Sequence, residues 1–408
     1  MKTLGILVGG GPAPGINGVI GAATIYARRH GVRVLGIPNG FTPLVRHELE
    51  GVRELDIEDV SRIHLLGGSV LHTSRTSPIE SAEDIERTLR SLAEIGVDFL
   101  LTIGGDGTAH VARVVGEHAQ DRLKLVHVPK TIDNDLPLPP GIPTFGFETA
   151  REAGASVVAR LMEDARTSSR WYVVVMMGRD AGHLALGVAK AAGATLSVIP
   201  EEFERGTSLR QVMRVIEGSI LKRAAMGRAH GVAVVAEGIA GVVPESDFPF
   251  VIEKDRHGRQ RFSDAPIADH FARCVRDGLR ELGLEDLSVT EKEVGYELRC
   301  APPNAFDIAY GRDLGAGAVE ALLRGDDGVM VIREDDKLRV VSFPELVAPD
   351  GTRMRQRLVD TSGRDYHTAR LMQVHLEPGD LAPENPLCAR ICDTAKRSAD
   401  ELRARYFG

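Results

Sequence analysis

At 408 residues, 43% of them hydrophobic, the chain exceeds the size at which one core usually keeps growing, so two domains are expected. Its formal net charge of −8 opposes a nucleic-acid binder that neutralises a run of phosphates, and confines any phosphate site to a local feature. Cys274, Cys300, Cys388 and Cys392 lack paired CxxC spacing and are too few for a disulfide scaffold, so they read as reduced thiols. No charged-then-apolar leader opens the sequence, and its apolar runs fall far short of the roughly 18 residues that span a bilayer, so a cytoplasmic protein with no membrane partner is expected.

Short β-branched runs alternate with helical patterns along the chain: Leu4–Val8, Val32–Ile37, Phe99–Ile103 and Leu123–Val128, then Tyr172–Met177, Thr195–Ile199 and Val232–Ala236, with Val329–Ile332 further on. Continuous apolar runs of this length suit strands buried on both faces of a parallel sheet. Between them, Ser81 reads as an N-cap with Asp84 three residues on; Ile85, Leu89, Leu92 and Ile95 form one apolar face, and Gly96 follows the last turn. Strand, helix, strand is the repeating unit, which right-handed crossovers wind into an open α/β sheet. The Pro-rich stretch Leu136–Pro143 interrupts the pattern and is the candidate domain crossing.

In open α/β sheets ligands sit beyond the carboxyl ends of strands, and five strand ends here carry unusual residues. The first, Gly9-Gly10-Gly11-Pro12-Ala13-Pro14-Gly15-Ile16-Asn17, leads into a helix whose positive end can meet an anion. Its spacing is neither the dinucleotide fingerprint nor a P-loop, which argues against hydride transfer and against a Walker-type ATPase. The second is Gly104-Gly105-Asp106-Gly107-Thr108. Glycines admit a phosphate, and a carboxylate among them is reconciled with it by a bound Mg²⁺, so Asp106 is the candidate metal residue. In the third, Lys130-Thr131-Ile132-Asp133-Asn134-Asp135, the alternate residues Thr131, Asp133 and Asp135 share one side if the stretch is extended. Two carboxylates beside a lysine can remove an alcohol proton and manage charge. The fourth, Met177-Gly178-Arg179-Asp180, offers an arginine to a phosphoryl group in flight or, more blandly, an ion pair. The fifth, Glu237-Gly238, fits a buried or capping glutamate as well as a substrate ligand.

Taken in order, GGxPAPGxN, TSR, GGDGT, PKTIDND, FGFETA, MMGRDAGH, AEG and GYELR resemble the phosphofructokinase family from Gly5 to Gly315, especially the long bacterial members that include pyrophosphate-using enzymes. The resemblance implies two Rossmann-like three-layer α/β/α domains with largely parallel sheets and the active site in the cleft between them. Residues 1–143 with roughly 300–385 would bind the phosphoryl donor, and 144–299 with roughly 386–408 the sugar phosphate. It implies transfer to the 1-hydroxyl of fructose 6-phosphate with Mg²⁺, Asp133 being the general base and Thr131 and Asp135 its neighbours in holding the sugar. Met177, Gly178 and Arg179 would contact the sugar, Arg179 also the transferring group; Glu237 would hold sugar hydroxyls, and Tyr296 and Arg299 the 6-phosphate. Gly10, Gly11, Arg75, Gly105, Gly107, Thr108 and Lys130, with Asp106, would form the donor and metal site. Arg170 would enter a neighbouring subunit's sugar site, implying a homo-oligomer, dimer or tetramer.

The chain departs from the family pattern in two places. A cross-subunit arginine for the 6-phosphate is replaced by Thr290, with Lys292 the nearest basic residue, and Gly21 and Ile25 stand where regulated members carry effector-binding arginines. On the donor, Gly107 leaves open the space that a carboxylate denies to the α-phosphate of ATP, whereas Lys130 suits a compact diphosphate. Exclusion at position 107 is expected to decide, which favours ATP over pyrophosphate. Two rivals, a silent sugar-phosphate sensor and a nicotinamide dehydrogenase, are opposed by the base–metal pair and by the missing fingerprint.

Overall fold

The computed structural model describes every residue except 140, 255–259, 335, 350, 352 and 353. The chain divides into two compact units: Met1–Ala150 with Glu297–Arg357, and Arg151–Tyr296 with Leu358–Gly408. The Leu136–Pro143 stretch, whose residue 140 lies outside the described residues, belongs to the first unit, and the chain leaves that unit at Ala150.

The first unit is built on strands β1 (Thr3–Val8), β2 (Arg33–Gly36), β3 (Arg53–Glu54), β4 (Phe99–Gly104), β5 (Lys124–Pro129), β10 (Val329–Glu334) and β11 (Lys337–Ser342). They lie in the order β11-β10-β5-β4-β1-β2-β3. Pairing is parallel through the centre, from β10 to β2, and antiparallel at both edges. Side chains alternate across this sheet. Leu4, Ile6 and Val8 face a core closed by the helices Ile16–Arg29 and Ala305–Arg324. Leu7, Leu100 and Leu125 face a second core with Ala82–Glu94 and Asp106–Ala119. Both faces are therefore covered, which is why the central strands read as unbroken apolar runs. The Ala82–Glu94 helix starts where the sequence places it: Ser81 Oγ accepts from the Asp84 amide at 3.1 Å, a cap contributing about 1 kcal/mol.

The second unit carries β6 (Trp171–Met176), β7 (Leu196–Val198), β8 (Gly231–Ala236) and β9 (Val289–Val294), ordered β7-β8-β6-β9 and parallel throughout. Trp171, Val173 and Val175 pack into one core with the helices Leu209–Ala225 and Ile267–Glu281. On the other face, Gly154 sits so close to Val188 that an added methyl would lie 2.8 Å from its Cγ2. The C-terminal helix Ala399–Phe407 is clasped to this unit by Glu217, which accepts from Arg405 Nε at 2.6 Å and the Tyr406 hydroxyl at 2.7 Å. The expected α/β architecture with two mostly parallel sheets is what the chain adopts.

Three strands escape the apolar-run pattern, one of them the two-residue edge strand β3, Arg53–Glu54. β9 reads Val-Thr-Glu-Lys-Glu-Val and β11 Lys-Leu-Arg-Val-Val-Ser; each closes one edge of its sheet, where charged side chains are tolerated and discourage pairing with other chains. Among the described residues no helix is long and apolar enough to cross a membrane.

Candidate functional site

In the first unit, three neighbouring parallel strands, β1, β4 and β5, end together, and the first three motifs follow them directly. The Gly9 amide donates to the Ile103 carbonyl at 2.9 Å and the Gly10 amide to the Ser74 carbonyl at 2.8 Å. The second bond sets Arg75, next along the chain, beside the glycine loop. It also engages the Gly10 N–H within the protein, so that group does not present itself to an anion.

Thr108 explains two of the glycines. A methyl on Gly9 would lie 2.4 Å from Thr108 Oγ1, and one on Gly104 2.3 Å from Thr108 Cβ. Only glycine lets this side chain, near the start of its helix, wedge between β1 and β4. That wedge fixes the start of the Asp106–Ala119 helix, at whose first position Asp106 stands, partly exposed, with Gly105 and Gly107 on either side. Lys130, 5% exposed, lays its ammonium on the Gly11 carbonyl at 2.5 Å. A methyl on Gly11 would lie 3.4 Å from Arg299 Cζ. Arg299, expected with the sugar phosphate, thus stands beside the glycine loop of the first unit together with Lys130, and Gly10, Gly11, Gly105, Asp106, Thr108, Lys130 and Arg299 form one cluster.

The stretch after β5 is not extended. Asn134 takes a left-handed backbone (φ 57°), and the Asp133 amide donates back to Thr131 Oγ1 at 3.0 Å. The alternation expected to align Thr131, Asp133 and Asp135 is replaced by a tight turn. Thr131 and Asp135 are buried, at 8% and 5% exposure, and Asp133 is partly exposed. Asparagine tolerates the left-handed region because its short polar side chain bonds locally, here accepting from the Thr144 amide at 3.0 Å.

Sequence reasoning passes over His127, on β5. Its Nε2 lies 3.0 Å from the Gly104 carbonyl and its Nδ1 2.8 Å from Thr102 Oγ1. A carbonyl only accepts, so Nε2 carries the proton and Nδ1 accepts from the threonine hydroxyl. Complete burial, with the Lys130 cation adding to it, pushes the imidazole pKa down to about 3, against the Gly104 bond; the ring is neutral and holds the carbonyl just before Gly105 and Asp106. Asp307 escapes it as well. It is fully buried and accepts from the amides of Gly146 and Thr149, each at 2.7 Å, and from the Thr149 hydroxyl at 2.5 Å. Burial raises its pKa, against those three bonds. Neither residue stands in a motif; the only sequence signal is a polar residue inside an otherwise apolar strand or helix face.

In the second unit the ends of the neighbouring strands β6 and β8 meet. Glu237, 6% exposed, accepts from the amides of Gly178 at 3.1 Å and Arg179 at 2.8 Å. Arg179 has φ 53°, and a methyl on Gly238 would lie 2.3 Å from its carbonyl oxygen. The glutamate therefore braces the turn that presents Arg179, a role added to the expected contact with sugar. The Met177 amide donates to the Val294 carbonyl at 3.1 Å, which ties this turn to the end of β9. Tyr296, just beyond β9 and 54% exposed, donates its hydroxyl to Asp264 at 3.1 Å, and Lys292 is exposed on β9. Arg170 is not brought to this group. It precedes β6, whereas Met177–Arg179 follow it, so a strand length of about 20 Å separates them.

As for the expected Mg²⁺, the described residues hold no group of three or more His, Cys, Asp or Glu arranged for a metal. A single carboxylate at a helix start between glycines suits a hard cation that takes its other ligands from phosphate oxygens and water, so Asp106 fits.

Comparison with known proteins agrees on the family and includes relatives named for either donor, among them the ATP-dependent 6-phosphofructokinase of Bacillus velezensis, 31% identical and covering 83% of this chain and 91% of that one. The phosphofructokinase family model matches residues 3–322. The chain is 50% identical over 388 residues to the pyrophosphate–fructose 6-phosphate 1-phosphotransferase of Thermotoga maritima, covering 93% of this chain and 92% of that one. It is 46% identical to the enzyme of the same name from Naegleria fowleri, covering 100% and 95%. The crystal structure of the pyrophosphate-dependent phosphofructokinase from Marinobacter aquaeolei superposes with a TM-score of 0.67 over 92% of each chain at 18% identity, a likeness of fold. With glycine loops, GGDGT turn and TIDND turn gathered at adjacent strand ends as its motifs require, the chain belongs to the phosphofructokinase family.

Proposed function

We propose that this protein transfers a phosphoryl group from inorganic pyrophosphate to the 1-hydroxyl of fructose 6-phosphate, in a Mg²⁺-dependent reaction. The observation that carries the donor is the buried Lys130 ammonium on the Gly11 carbonyl: a fixed point charge inside the glycine loop matches a compact, highly charged diphosphate. The names of the relatives at 50% and 46% identity support it. The expectation of ATP, drawn from the open space at Gly107, therefore gives way to pyrophosphate as first reading. ATP remains the second, because Gly107 has no side chain to exclude it.

Phosphoryl transfer asks a protein mainly for positioning and charge neutralisation. In the proposed reaction Asp133 accepts the proton of the acceptor hydroxyl while Asp135 and Thr131 hold the sugar. Arg179, presented by the turn that Glu237 braces, meets charge spread over the equatorial oxygens in the transition state. Lys130 and the Gly11 amide side of the loop hold the leaving phosphate. Asp106 would hold Mg²⁺, which would supply charge neutralisation to the donor phosphates. Tyr296 and Lys292 are assigned to the 6-phosphate; Arg299, expected with them, is assigned to phosphate charge at the Gly11 loop beside which it stands; and Arg170, remote from the Arg179 turn of its own chain, is assigned to the site of a second copy in a homo-oligomer.

Initial rates with Mg·pyrophosphate and Mg·ATP, measured side by side at saturating fructose 6-phosphate, test the donor. kcat/KM should be higher with pyrophosphate; a preference for ATP would show that position 107 outweighs Lys130. The Asp133→Asn variant should lose roughly 10²–10⁴ in kcat with either donor, the range for removing a general base.

A further inference from the structure

The turn that carries Asp133 is stitched shut from two sides. Within the loop, Thr144 donates its hydroxyl to the Thr131 carbonyl at 2.7 Å and its amide to Asn134 Oδ1 at 3.0 Å. From outside comes Arg357, beyond residue 322 where the family match ends. Its Nε donates to the Asn134 carbonyl at 3.0 Å, Nη1 to the Ile142 carbonyl at 2.7 Å and Nη2 to Asn134 Oδ1. Its own amide donates to the Asp135 carbonyl at 2.7 Å. Four donors of one residue thus fall on the segment Asn134–Ile142, immediately after Asp133.

We propose that Arg357 is a positioning residue for phosphoryl transfer: its guanidinium locks the left-handed Asn134 turn and thereby fixes the direction of the Asp133 carboxylate. This rests on the reading of Asp133 as the base. The geometry calls for arginine specifically. The three acceptors of its side chain are neutral carbonyl and amide oxygens spread over two segments of chain, which a planar fork of N–H donors spans and a lysine point charge does not. Burial lowers the guanidinium pKa, with the nearby Asp135 opposing that shift. Charge-assisted bonds to part-buried oxygens contribute to stability, and spread over these acceptors they also define one conformation of the turn. The segment that delivers it, Met354–Arg357, is held by the Arg355 amide on the Leu346 carbonyl at 2.9 Å, so the stretch beyond the family match is tied to the catalytic turn.

The test compares Arg357→Ala, Arg357→Lys and Asp133→Asn in the full-length protein, reading kcat, both KM values and the melting temperature. Arg357→Ala should lose about 10–100-fold in kcat, the scale of a small misplacement of a reacting group, with both KM values within about threefold. Guanidinium chloride below its denaturing range should restore part of that loss, whereas ethylammonium should not, and neither should stimulate the wild type or Asp133→Asn. Arg357→Lys, which keeps the charge and one of the bonds, should melt between Arg357→Ala and the wild type yet show a similar kcat loss when assayed well below its melting temperature, and it decides the matter if the alanine variant does not fold. A folded Arg357→Lys with wild-type kcat, a folded Arg357→Ala that guanidinium fails to rescue, or loss of activity in strict proportion to loss of folded protein would each overturn the proposal. If Asp133→Asn keeps wild-type turnover, the assignment of the base fails instead; if it is inactive while Arg357→Lys is normal, only the role of Arg357 fails.

Discussion

Acidification should destabilise the first unit through His127, by an amount the structure sets. The imidazole is fully buried between Thr102 and the Gly104 carbonyl, with its pKa pushed from 6.5 to about 3. A histidine held neutral when folded is free to take a proton when unfolded. Its contribution is therefore intact above pH 6.5 and declines as pH falls towards about 3. From pH 6.5 to 5 is about 1.5 units, each worth about 1.4 kcal/mol, so the loss by pH 5 is about 2 kcal/mol. That is a large share of the roughly 5–15 kcal/mol by which domains are stable. Other groups titrate over the same interval, so the measurement is a difference. His127→Gln keeps an acceptor for Thr102 and a donor for Gly104 but cannot ionise. Guanidinium unfolding followed by circular dichroism, for wild type and variant at pH 7 and pH 5, should show the wild type losing about 2 kcal/mol more. Equal losses would mean that the imidazole is accessible or already charged, and the account of how Gly104 is held would fall with it.

Glu237→Ala leaves the buried Gly178 amide and the part-buried Arg179 amide without this acceptor, which loosens the turn that presents Arg179, so kcat/KM for fructose 6-phosphate should drop at least tenfold, while Glu237→Gln, which keeps an oxygen there, should lose less; equal effects would argue for a charge role instead. Gly104→Ala drives a methyl into Thr108 and should raise the donor KM with little change in the acceptor KM, as steady-state kinetics would show. Asp106→Ala should weaken the response of rate to Mg²⁺ concentration; an unchanged Mg²⁺ titration would remove it from the metal shell. Lys130→Met should reduce kcat/KM with pyrophosphate more than with ATP, and a uniform loss would count against its role in donor choice.

Much of this molecule is legible in sequence because parallel strands buried on both faces write themselves as apolar runs, each closed by a cluster of glycines and charged residues. β1, β4, β5, β6 and β8 and the turns beyond them emerge from that pattern. β9 and β11 do not, since an edge strand tolerates Glu, Lys and Arg and so loses its signature. The Thr131–Asp135 turn is visible in sequence but its shape is not: alternation suggests an extended stretch, whereas the Thr131 hydroxyl and the left-handed Asn134 fold it back. The supports of the site show in sequence only as polar residues on apolar faces, without their partners. Asp307 reaches Gly146 and Thr149 across more than 150 residues of sequence, and no local rule announces such a bond. The donor is the hardest choice, because Gly107 and Lys130 pull oppositely and sequence alone does not weigh them.

The order of strands in the first sheet has a consequence for synthesis. β10 lies next to β5, yet it is made about 200 residues later, on the order of 10–40 s at usual translation speeds. Until it emerges, β5 is the open edge of a half-built sheet, and the helix Ala305–Arg324 that covers one face of that sheet is missing too. The nascent chain therefore presents Leu125–Val128 to any neighbour able to pair with it. Pro129, which ends that strand, and Lys130, which follows it, are residue types that blunt such edges. A lysine proposed to hold the donor in the finished protein would thus also guard the unfinished one on the ribosome.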